Sequence, residues 1–389
     1  MITLALAGKP NCGKSTFFRA ATMAPAEIAN YPFTTIDANF GVAYLRAVCP
    51  CRGLSLPCES CRDGVRFVPV NLVDVAGLVP DAHKGRGLGN QFLDNLRQAD
   101  AILHIVDASG STDSEGNPVD PGSHDPRDDM AFLEYEMAMW VYGIIDKHWA
   151  KLLRQAQSKT SAIHRALSEV LTGLKISPED VRDAELAASV DLVHADPGAL
   201  QAFCREIVRI SKPMVPVGNK IDLAPGKMVD ALKDSRFIFA TAAGELALRN
   251  ADHAQLIRYM PGDPGFTILK EDALSPQQKA GLGRIAEVMA RYGGTGIQQA
   301  IDYAIREVLR LIVIYPVEDE HKFSDSRGRV LPDAFLMKRG STPRDLAYLV
   351  HTDIGKGFLY AVDARTKMRV KDTHELKDGD IIRIVSTAK

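Results

Sequence analysis

The apolar positions at the start of the chain fall in short continuous runs. Residues 2–7 form one such run and end in a glycine-rich turn, which is typical of a strand buried on both faces of a parallel sheet. A helix is predicted from near Gly13 to about Thr22. Further strands are predicted at 40–48, 65–73, 101–106 and 214–217. Strands that alternate with helices indicate an α/β domain with a doubly wound, mostly parallel sheet.

The alternation of strands and helices is interrupted over residues 128–210. Positions 128–171 contain no proline and a single glycine, and their apolar residues recur at helical spacing. One helix of that length would span ~65 Å. Ser177 and Pro178 predict the cap and first residue of another helix, and a returning helix is expected at 199–210. We predict an inserted antiparallel, coiled-coil-like helical arm; ordinary helices packed on the domain are the alternative.

The pattern of predicted elements changes again near residue 312. Residues 245–290 suggest an insertion, and 297–311 a helix, after which short strands and turns follow. Strands are predicted there at 312–315, 330–335, 365–371 and 381–385. The expected domains are the first part of the α/β domain at 1–127, the helical insertion at 128–210, the second part of the α/β domain at 211–311, and a small α+β domain at 312–389.

Composition and charge limit the classes of function. The 389 residues are 46% hydrophobic and 25% charged, with a net charge of −2 and a pI of about 6.6. Such a chain is not a generic polyanion binder, so any nucleic-acid contact needs a local patch. No stretch approaches the ~18 apolar residues of a membrane helix, and the start has neither a basic leader nor a small-residue cleavage site. We expect a cytoplasmic protein without membrane contact.

Residues 8–15 read GKPNCGKS and match the phosphate-binding pattern G-x-x-x-x-G-K-[ST]. Glycines let the backbone N–H groups curl toward phosphate oxygens, and the following helix offers its positive end. Lys14 is expected to reach the β- and γ-phosphates, and the Ser15 hydroxyl to bind Mg²⁺. The predicted phosphate-binding residues are Asn11, Cys12, Gly13, Lys14, Ser15 and Thr16.

A second motif indicates which base is bound. Residues 219–222 read NKID, of the form N-K-x-D, and follow a predicted strand. The Asp222 carboxylate can accept two hydrogen bonds from the guanine edge, whereas adenine lacks both donors. Lys220 can lie along the base, and Asn219 can tie this loop to the phosphate-binding loop. A backbone N–H for the base is expected from Thr241, Ala242 or Ala243.

Two further segments are expected to respond to the γ-phosphate. Residues 74–77 read DVAG, so Asp74 would hold Mg²⁺ through water and the Gly77 N–H would sense the γ-phosphate. Of Thr34 and Thr35, we expect Thr35 to close over the metal in the triphosphate state and to be released on hydrolysis. The predicted Mg²⁺ site is therefore Ser15, Thr35 and Asp74, and the predicted catalytic residues are Lys14, Thr35 and Gly77.

These motifs together resemble the Obg-related GTPases of the translation-factor class. The segments NYPFTT at 30–35 and DVAGLV at 74–79 are similar to that group's. The helical insertion followed by the C-terminal segment resembles the YchF family, archaeal type, and residues 336–360 resemble a TGS domain, a ubiquitin-like β-grasp module. The resemblance implies a P-loop G domain and a monomeric GTP-hydrolysing switch that acts on the ribosome or RNA.

Three residues carry specific implications of the resemblance. Leu78 stands where many small GTPases have a glutamine that positions water, so intrinsic hydrolysis is expected to be slow or completed by a partner. Asn11 matches a position that binds K⁺ in some relatives. Many YchF relatives prefer ATP and have a glutamate in place of Asp222, so the aspartate points to GTP, with an ATPase as the alternative.

Four cysteines lie within thirteen positions, between the strands predicted at 40–48 and 65–73. Four thiolates at the tip of a hairpin can close a tetrahedral zinc site. Reduced surface cysteines or a redox pair are the alternative, because C-x-C is a less typical zinc spacing than C-x-x-C. The four candidates are Cys49, Cys51, Cys58 and Cys61.

Basic residues alternate along the strand predicted at 365–371. Alternate residues share one face of a strand, so Arg365, Lys367, Arg369 and Lys371 would form a row of cations suited to an RNA backbone. The alternative is an edge strand protected by charge.

Two other functions stay open at this point. A phosphotransferase would carry an arginine-rich lid and no N-K-x-D motif, which is the reverse of this pattern. An adaptor in which nucleotide only supports the fold is compatible with Leu78.

Overall fold

The computed structural model describes residues 1–23, 40–75, 77, 96–156 and 160–387. The described residues form two compact units, the first from 1–23, 40–42, 71–75, 77, 96–156 and 160–300 and the second from 43–70 and 301–387. None of the described helices combines the length and apolar composition needed to cross a membrane.

A six-stranded sheet, in the order β2-β3-β1-β4-β5-β6, forms the α/β domain. Strand β1 pairs in parallel with β3 and β4, and β5 pairs in parallel with β4 and β6. Residues 4–7 of β1 and all of β4 are buried, which fits their mainly apolar sequences; His104 and Asp107 are the polar residues of β4. The doubly wound, mostly parallel fold is therefore confirmed. The strands are β1 Thr3–Ala7, β2 Phe40–Val48, β3 Val65–Asp74, β4 Ala101–Asp107, β5 Met214–Asn219 and β6 Ile238–Phe239.

Polar residues follow several of these strands at one edge of the sheet. Asp74 ends β3 beside Leu6 of β1, and Asp107 of β4 lies opposite Asn219 of β5. The helix α1 (Lys14–Thr22) begins after Gly13, close to its predicted start. Because carboxyl ends of parallel strands meet at one edge, the motif residues converge there.

The described residues of the insertion form four α-helices, whereas one long helix was predicted for its first half. These helices are α3 Pro126–Ala156, α4 Thr160–Val170, α5 Pro178–Ala188 and α6 Pro197–Ser211. The label α2 is given to a one-turn helix outside the insertion, Cys51–Leu54, between β2 and β3. Helix α3 packs against both α4 and α6, and α5 packs against α4 and α6. The first half of the insertion therefore contains two packed helices, α3 and α4, instead of one long helix. Ser177 caps α5 and Pro178 is its first residue, as the sequence predicted, and the Asp180 carboxylate also accepts a hydrogen bond from the Ser177 N–H.

The insertion shares its core with one face of the sheet. Leu133 and Met137 of α3 and Phe203 of α6 belong to the same buried cluster as Ala5 and Ile102 of the sheet. Burial of each large side chain contributes roughly 1.5–3 kcal/mol. The amphipathic stripe of α3 therefore holds part of the insertion directly on the α/β domain.

Residues 226–303 complete the first unit and begin the second. Residues 245–290 carry regular elements and a small core that includes Leu248, Tyr259 and Met289. The helix predicted at 297–311 ends at Tyr303 and continues as a π-helical turn, Ala304–Val308. The elements are α7 Gly226–Leu232, α8 Ala242–His253, β7 Ile257–Arg258, β8 Thr267–Ile268, α9 Pro276–Tyr292 and α10 Ile297–Tyr303.

A five-stranded sheet in the order β10-β9-β13-β11-β12 carries the C-terminal segment. Its first and last strands along the chain, β9 and β13, are parallel neighbours, while β10, β11 and β12 pair antiparallel. Leu346 of α11 packs on the sheet with Ile314 and Ile382. The elements are β9 Leu311–Val317, β10 Phe335–Lys338, α11 Pro343–Val350, α12 Thr352–Lys356, β11 Phe358–Asp363, β12 Met368–Val370 and β13 Ile381–Ser386.

The predicted row of cations in this sheet is not formed. Asp363 accepts hydrogen bonds from the N–H groups of Arg365 (2.8 Å) and Thr366 (3.3 Å), and Lys367 has a φ of 62°. These features make a turn over the first half of the predicted strand, which begins only at Met368. Arg369 instead lies over the ring of Tyr360, 3.5 Å from its centroid. The strand prediction was wrong here because turn chemistry outweighs alternation.

Candidate functional site

The loop of residues 8–13 connects β1 to α1 through two glycines that other residues could not replace. Gly8 has a φ of 148°, and a Cβ there would lie 2.2 Å from the Ile105 carbonyl oxygen. Gly13 has a φ of 97°, and a Cβ there would lie 2.2 Å from the Asn219 Nδ2 atom. No side chain caps the start of α1, so its first N–H groups remain suited to an anion.

Lys14 provides a buried positive charge inside this loop. Only 7% of the residue is exposed, and its Nζ donates to the carbonyl oxygens of Gly8 (3.0 Å) and Lys9 (2.8 Å). Cys12 is fully buried, and this burial raises the pKa of its thiol. The thiol is thus neutral and adds no negative charge beside the Lys14 ammonium. Thr16 lies in the first turn of α1 and is partly exposed.

Ser15 and Asp74 place two oxygen ligands side by side. The Ser15 hydroxyl donates to Asp74 Oδ2 at 3.1 Å. Burial raises the pKa of Asp74, while the Ser15 hydrogen bond and the Lys14 charge oppose that rise. A hydroxyl and a carboxylate at this spacing fit Mg²⁺, which prefers oxygen ligands.

Gly77 lies against the phosphate-binding loop, because a Cβ there would be 3.0 Å from the Pro10 nitrogen. The predicted Thr35, its neighbour Thr34 and Leu78 lie outside the described residues.

Asn219 joins three segments of the site. Its Nδ2 donates to the carbonyl oxygen of Cys12 at 2.9 Å, and its Oδ1 accepts from the Ala242 N–H at 3.0 Å. The side chain is 2% exposed. The N-K-x-D loop, the phosphate-binding loop and the start of α8 are therefore held in one arrangement.

The segment that starts α8 leaves one backbone donor for a base. The Thr241 N–H donates to the Thr295 carbonyl oxygen at 2.9 Å, and the Ala242 N–H is used by Asn219. The Thr241 hydroxyl accepts from the Gly244 N–H as the helix cap. Ala243 is exposed, and its N–H makes no hydrogen bond within the described part of the chain. Of the three predicted residues, Ala243 is thus the available donor.

Asp107 forms an ion pair with Lys220, and the sequence analysis did not identify it as a site residue. Lys220 has a φ of 60°, and its Nζ lies 2.8 Å from Asp107 Oδ2. The Asp107 carboxylate also accepts from Ser109, Ser111 and Thr112. Burial favours a higher pKa for Asp107, but the hydrogen bonds from Lys220 and Ser109 outweigh it and lower the pKa. Its position at the end of an apolar strand was the available signal. Asp222, the base-reading candidate, is exposed.

The loop that follows Asp107 lies on the phosphate-binding loop, a contact that the sequence did not reveal. Lys9 Nζ donates to the Thr112 carbonyl oxygen and pairs with Asp129, each at 2.8 Å. Asn11 Nδ2 donates to the Gly116 carbonyl oxygen at 3.0 Å. Residues 109–125, which we call the cover loop, thereby restrain the backbone of the predicted phosphate-binding loop.

The four predicted cysteines come together in the second unit. Their sulfur atoms all lie within 4.8 Å of one another, so they could hold a metal ion. Cys49 and Cys51 are buried, while Cys58 and Cys61 are partly exposed.

Family models match three parts of the chain. They are described as 50S ribosome-binding GTPase (residues 3–133), Obg-like GTPase YGR210-like, G4 motif-containing domain (217–319), and TGS domain (328–386). A GTP-binding protein of Methanocaldococcus jannaschii is 47% identical, over 100% of each chain. This chain belongs to the YchF-like branch of the Obg-related GTPases. The predicted resemblance and the TGS domain are confirmed.

Other YchF-like proteins extend the comparison. The crystal structure of a GTP-binding protein from Pyrococcus horikoshii OT3 has a TM-score of 0.77 and 39% identity, covering 99% of this chain and 100% of that one. The Schizosaccharomyces pombe YchF GTPase shares the fold, with a TM-score of 0.59 and 18% identity over 99% of this chain and 97% of its own. The ribosome-binding ATPase YchF of Bacillus subtilis is 28% identical over 92% of this chain and 87% of its own.

Proposed function

We propose that this YchF-like protein is a GTP-binding and GTP-hydrolysing switch that acts on the ribosome. The observation that carries the proposal is the double hydrogen bond of Asn219, to Cys12 and to Ala242. It supports one composite site in which the N-K-x-D loop lies beside the phosphate-binding loop. A nucleotide could then contact both loops at once.

Guanine is the proposed base because of Asp222. A carboxylate there can accept two hydrogen bonds from the guanine edge, while the Ala243 N–H can donate to the base. Lys220 would lie along the base, and its ion pair with Asp107 orients it. An ion pair to a buried carboxylate positions a lysine side chain that would otherwise sample many rotamers.

Hydrolysis is proposed to proceed by in-line attack of water on the γ-phosphate. The Lys14 ammonium and the loop N–H groups would stabilise the charge that develops on the phosphate oxygens. Ser15 and Asp74 would hold Mg²⁺, which when bound neutralises charge on the phosphates, and the Gly77 N–H would contact the γ-phosphate. Thr35 is proposed as a further ligand. A leucine at 78 cannot orient water, so we expect slow intrinsic turnover that a partner completes.

K⁺ is proposed as a second activating ion through Asn11. The hydrogen bond to Gly116 uses the amide nitrogen of Asn11, whereas K⁺ would bind the amide oxygen. We expect faster GTP hydrolysis in K⁺ than in Na⁺; equal turnover in the two salts would contradict this role.

The ribosome is the proposed partner because a matching family model is described as ribosome-binding and relatives are named so. We propose a cytoplasmic monomer whose G domain cycles between two states that the helical insertion and the TGS domain transmit. We propose no RNA contact for Arg365, Lys367, Arg369 and Lys371, because the turn before Met368 keeps them from forming one row.

Binding affinity for GTP and ATP, measured side by side with Mg²⁺, tests the base assignment. The wild type should prefer GTP, and Asp222→Glu should weaken GTP binding by roughly 10- to 150-fold, since a charged hydrogen bond is worth about 1.5–3 kcal/mol. Asp230→Glu, a change at an exposed aspartate of α7, is the matched control. ATP bound as tightly as GTP by the wild type would overturn the guanine assignment.

An ATPase is the second candidate, because relatives such as the Bacillus subtilis protein are named ribosome-binding ATPases. It predicts tighter ATP than GTP binding and no effect of Asp222→Glu on the preference.

A further inference from the structure

The four cysteine sulfurs have the spacing of a single tetrahedral metal site. Cys49 Sγ lies 3.9 Å from Cys58 Sγ, and Cys51 Sγ lies 3.4 Å from Cys61 Sγ. All four sulfurs lie within 4.8 Å of one another. Zinc–sulfur bonds of about 2.3 Å in a tetrahedron place the sulfurs ~3.8 Å apart. The observed sulfur–sulfur distances are therefore close to those of a tetrahedral zinc site.

Local backbone geometry brings the two halves of the set together. Cys49 directly follows β2, with its N–H donating to the Gly64 carbonyl oxygen at 2.8 Å, and Cys51 begins α2. The second pair lies in the turn before β3. Ser55, Asp63 and Gly64 have φ values of 52°, 49° and 78°, which reverse the chain direction tightly. The two strands thus end in a closed knuckle with the four thiols inside.

This knuckle has no apolar core of its own. Each of residues 52–65, all described by the structure, is at least partly exposed. A loop without buried side chains gains little from the hydrophobic effect, and small segments of this kind use a metal or disulfides instead. The sulfur distances are those of separate thiols, and the cysteines are free. A bound ion would supply the missing stabilisation.

The neighbouring charge fits an anionic centre. Four thiolates with one Zn²⁺ carry a net charge of −2. Arg66, eight residues after Cys58 in the chain, is 2% exposed, and its Nη1 has no hydrogen-bond partner among the described residues. A buried, incompletely bonded cation is costly unless an opposite charge lies near it. Its Nη2 donates to the Pro332 carbonyl oxygen at 2.8 Å.

We propose that Cys49, Cys51, Cys58 and Cys61 bind one structural Zn²⁺ ion. Thiolates select zinc over Mg²⁺ and Ca²⁺, and a complete set of four leaves no open position for catalysis. The ion fixes the β2–β3 connection to residues 330–332, because Cys58 Sγ lies 3.9 Å from the Val330 carbonyl oxygen and Arg66 holds Pro332. This role is independent of the nucleotide that the protein hydrolyses.

Metal analysis of the full-length protein, purified from zinc-supplemented cells, is the first test. We expect one zinc ion per chain in the wild type and its loss in the Cys58→Ser/Cys61→Ser double variant. Cys204→Ala, which removes a buried thiol from α6, should keep the ion. A wild type without stoichiometric metal, with iron instead, or with the four cysteines in disulfides would overturn the proposal.

A second measurement covers the case in which the double variant misfolds. Wild-type protein stripped by a chelator and reloaded with Co²⁺ should show the thiolate charge-transfer bands and visible absorption of tetrahedral cobalt. Stripping should raise amide hydrogen exchange in residues 49–66 and 328–334, with GTP affinity unchanged in the same sample. Unchanged exchange in both segments would refute the structural role, whereas lost GTP preference in unstripped protein would concern only the proposed function.

Discussion

At the carboxyl edge of the parallel sheet, Lys14 and Asp107 are buried side chains of opposite charge that serve different loops. Lys14 donates to two carbonyl oxygens of the phosphate-binding loop, and Asp107 gathers Lys220 with three hydroxyls. Buried charges persist only when they are paired and hydrogen-bonded. Each of them therefore makes a distinct contribution that a single substitution can measure.

Replacing Lys14 by alanine should remove the charged contact to the β- and γ-phosphates. We expect GTP affinity to fall roughly 10- to 150-fold, because hydrogen bonds to charged groups are worth about 1.5–3 kcal/mol. Isothermal titration with GTP and Mg²⁺ measures this. Lys233→Ala, at an exposed lysine of a surface ion pair, is the control. An unchanged affinity in Lys14→Ala would mean that the loop does not bind the triphosphate.

Replacing Asp107 by asparagine should lower the free energy of unfolding by about 2 kcal/mol at pH 7, because Lys220 loses its charged partner. The pKa of Asp107 is lowered in the folded state. Its stabilising contribution is thus complete above the unfolded value of about 3.9 and is lost as pH falls through the lower folded value. The difference between the wild type and the variant should therefore shrink below about pH 4.

Urea unfolding of both proteins at pH 7 and at pH values below 4 checks this dependence. Asp230→Asn, which breaks the exposed pair with Lys233, should leave the free energy of unfolding unchanged. A difference that stays constant with pH would show that Asp107 acts through packing rather than charge.

In the first unit, the cover loop contacts the phosphate-binding loop at Gly116. Gly116 has a φ of 89°, and a Cβ there would lie 2.6 Å from the Pro10 carbonyl oxygen. Gly122 of the same loop has a φ of 86°, but a Cβ there would meet only Pro225, at 3.5 Å. Alanine would therefore be strained at both positions because φ is positive, but only at position 116 would its Cβ clash with neighbouring backbone.

Alanine at Gly116 should push the cover loop away from Pro10 and disturb the N–H groups that bind phosphate. Both Gly116→Ala and Gly122→Ala should lose about 1–2 kcal/mol of unfolding free energy from the left-handed conformation. Only Gly116→Ala should also weaken GTP binding, by severalfold. Thermal unfolding and GTP titration of the pair measure the two effects. Equal GTP affinities would show that the cover loop does not support the site.

The whole molecule combines a nucleotide site in the first unit with a TGS domain and a cysteine knuckle in the second. A switch must convert the chemistry at one site into a change elsewhere, which requires different affinities of a partner for the two nucleotide states. The proposed partner is the ribosome, and the states are the GTP- and GDP-bound forms.

Cosedimentation with ribosomes should therefore depend on nucleotide. We expect the amount bound to differ between GDP and a non-hydrolysable GTP analogue, and Lys14→Ala to abolish that difference while it keeps some binding. The same assay without nucleotide is the control. Equal binding of the wild type in all three conditions, matched by Lys14→Ala, would favour an adaptor that uses nucleotide only to support its fold.

Prediction from the sequence worked where residues close together in the chain determine the local structure. The phosphate-binding loop, the cap at Ser177 and the parallel strands depend on neighbouring residues, and they lie within a few positions of where they were expected. It failed at Arg365 and Lys367, where a side-chain–backbone turn at Asp363 interrupts an apparently regular strand. The prediction also treated α3 and α4 as one helix, because residues 128–171 contain no proline and only one glycine to indicate a break.

The sequence by itself determined the fold class, the family and the residues of the nucleotide motifs, because strand burial, glycine geometry and motif spacing are local properties. Only the tertiary structure decided which of these residues meet. Asn219 reaches Cys12 across 207 positions of sequence, Lys220 reaches Asp107 across 113, and Gly116 covers Asn11 from 105 residues away. Such contacts arise from strand order and loop packing, and no periodicity along the chain encodes them.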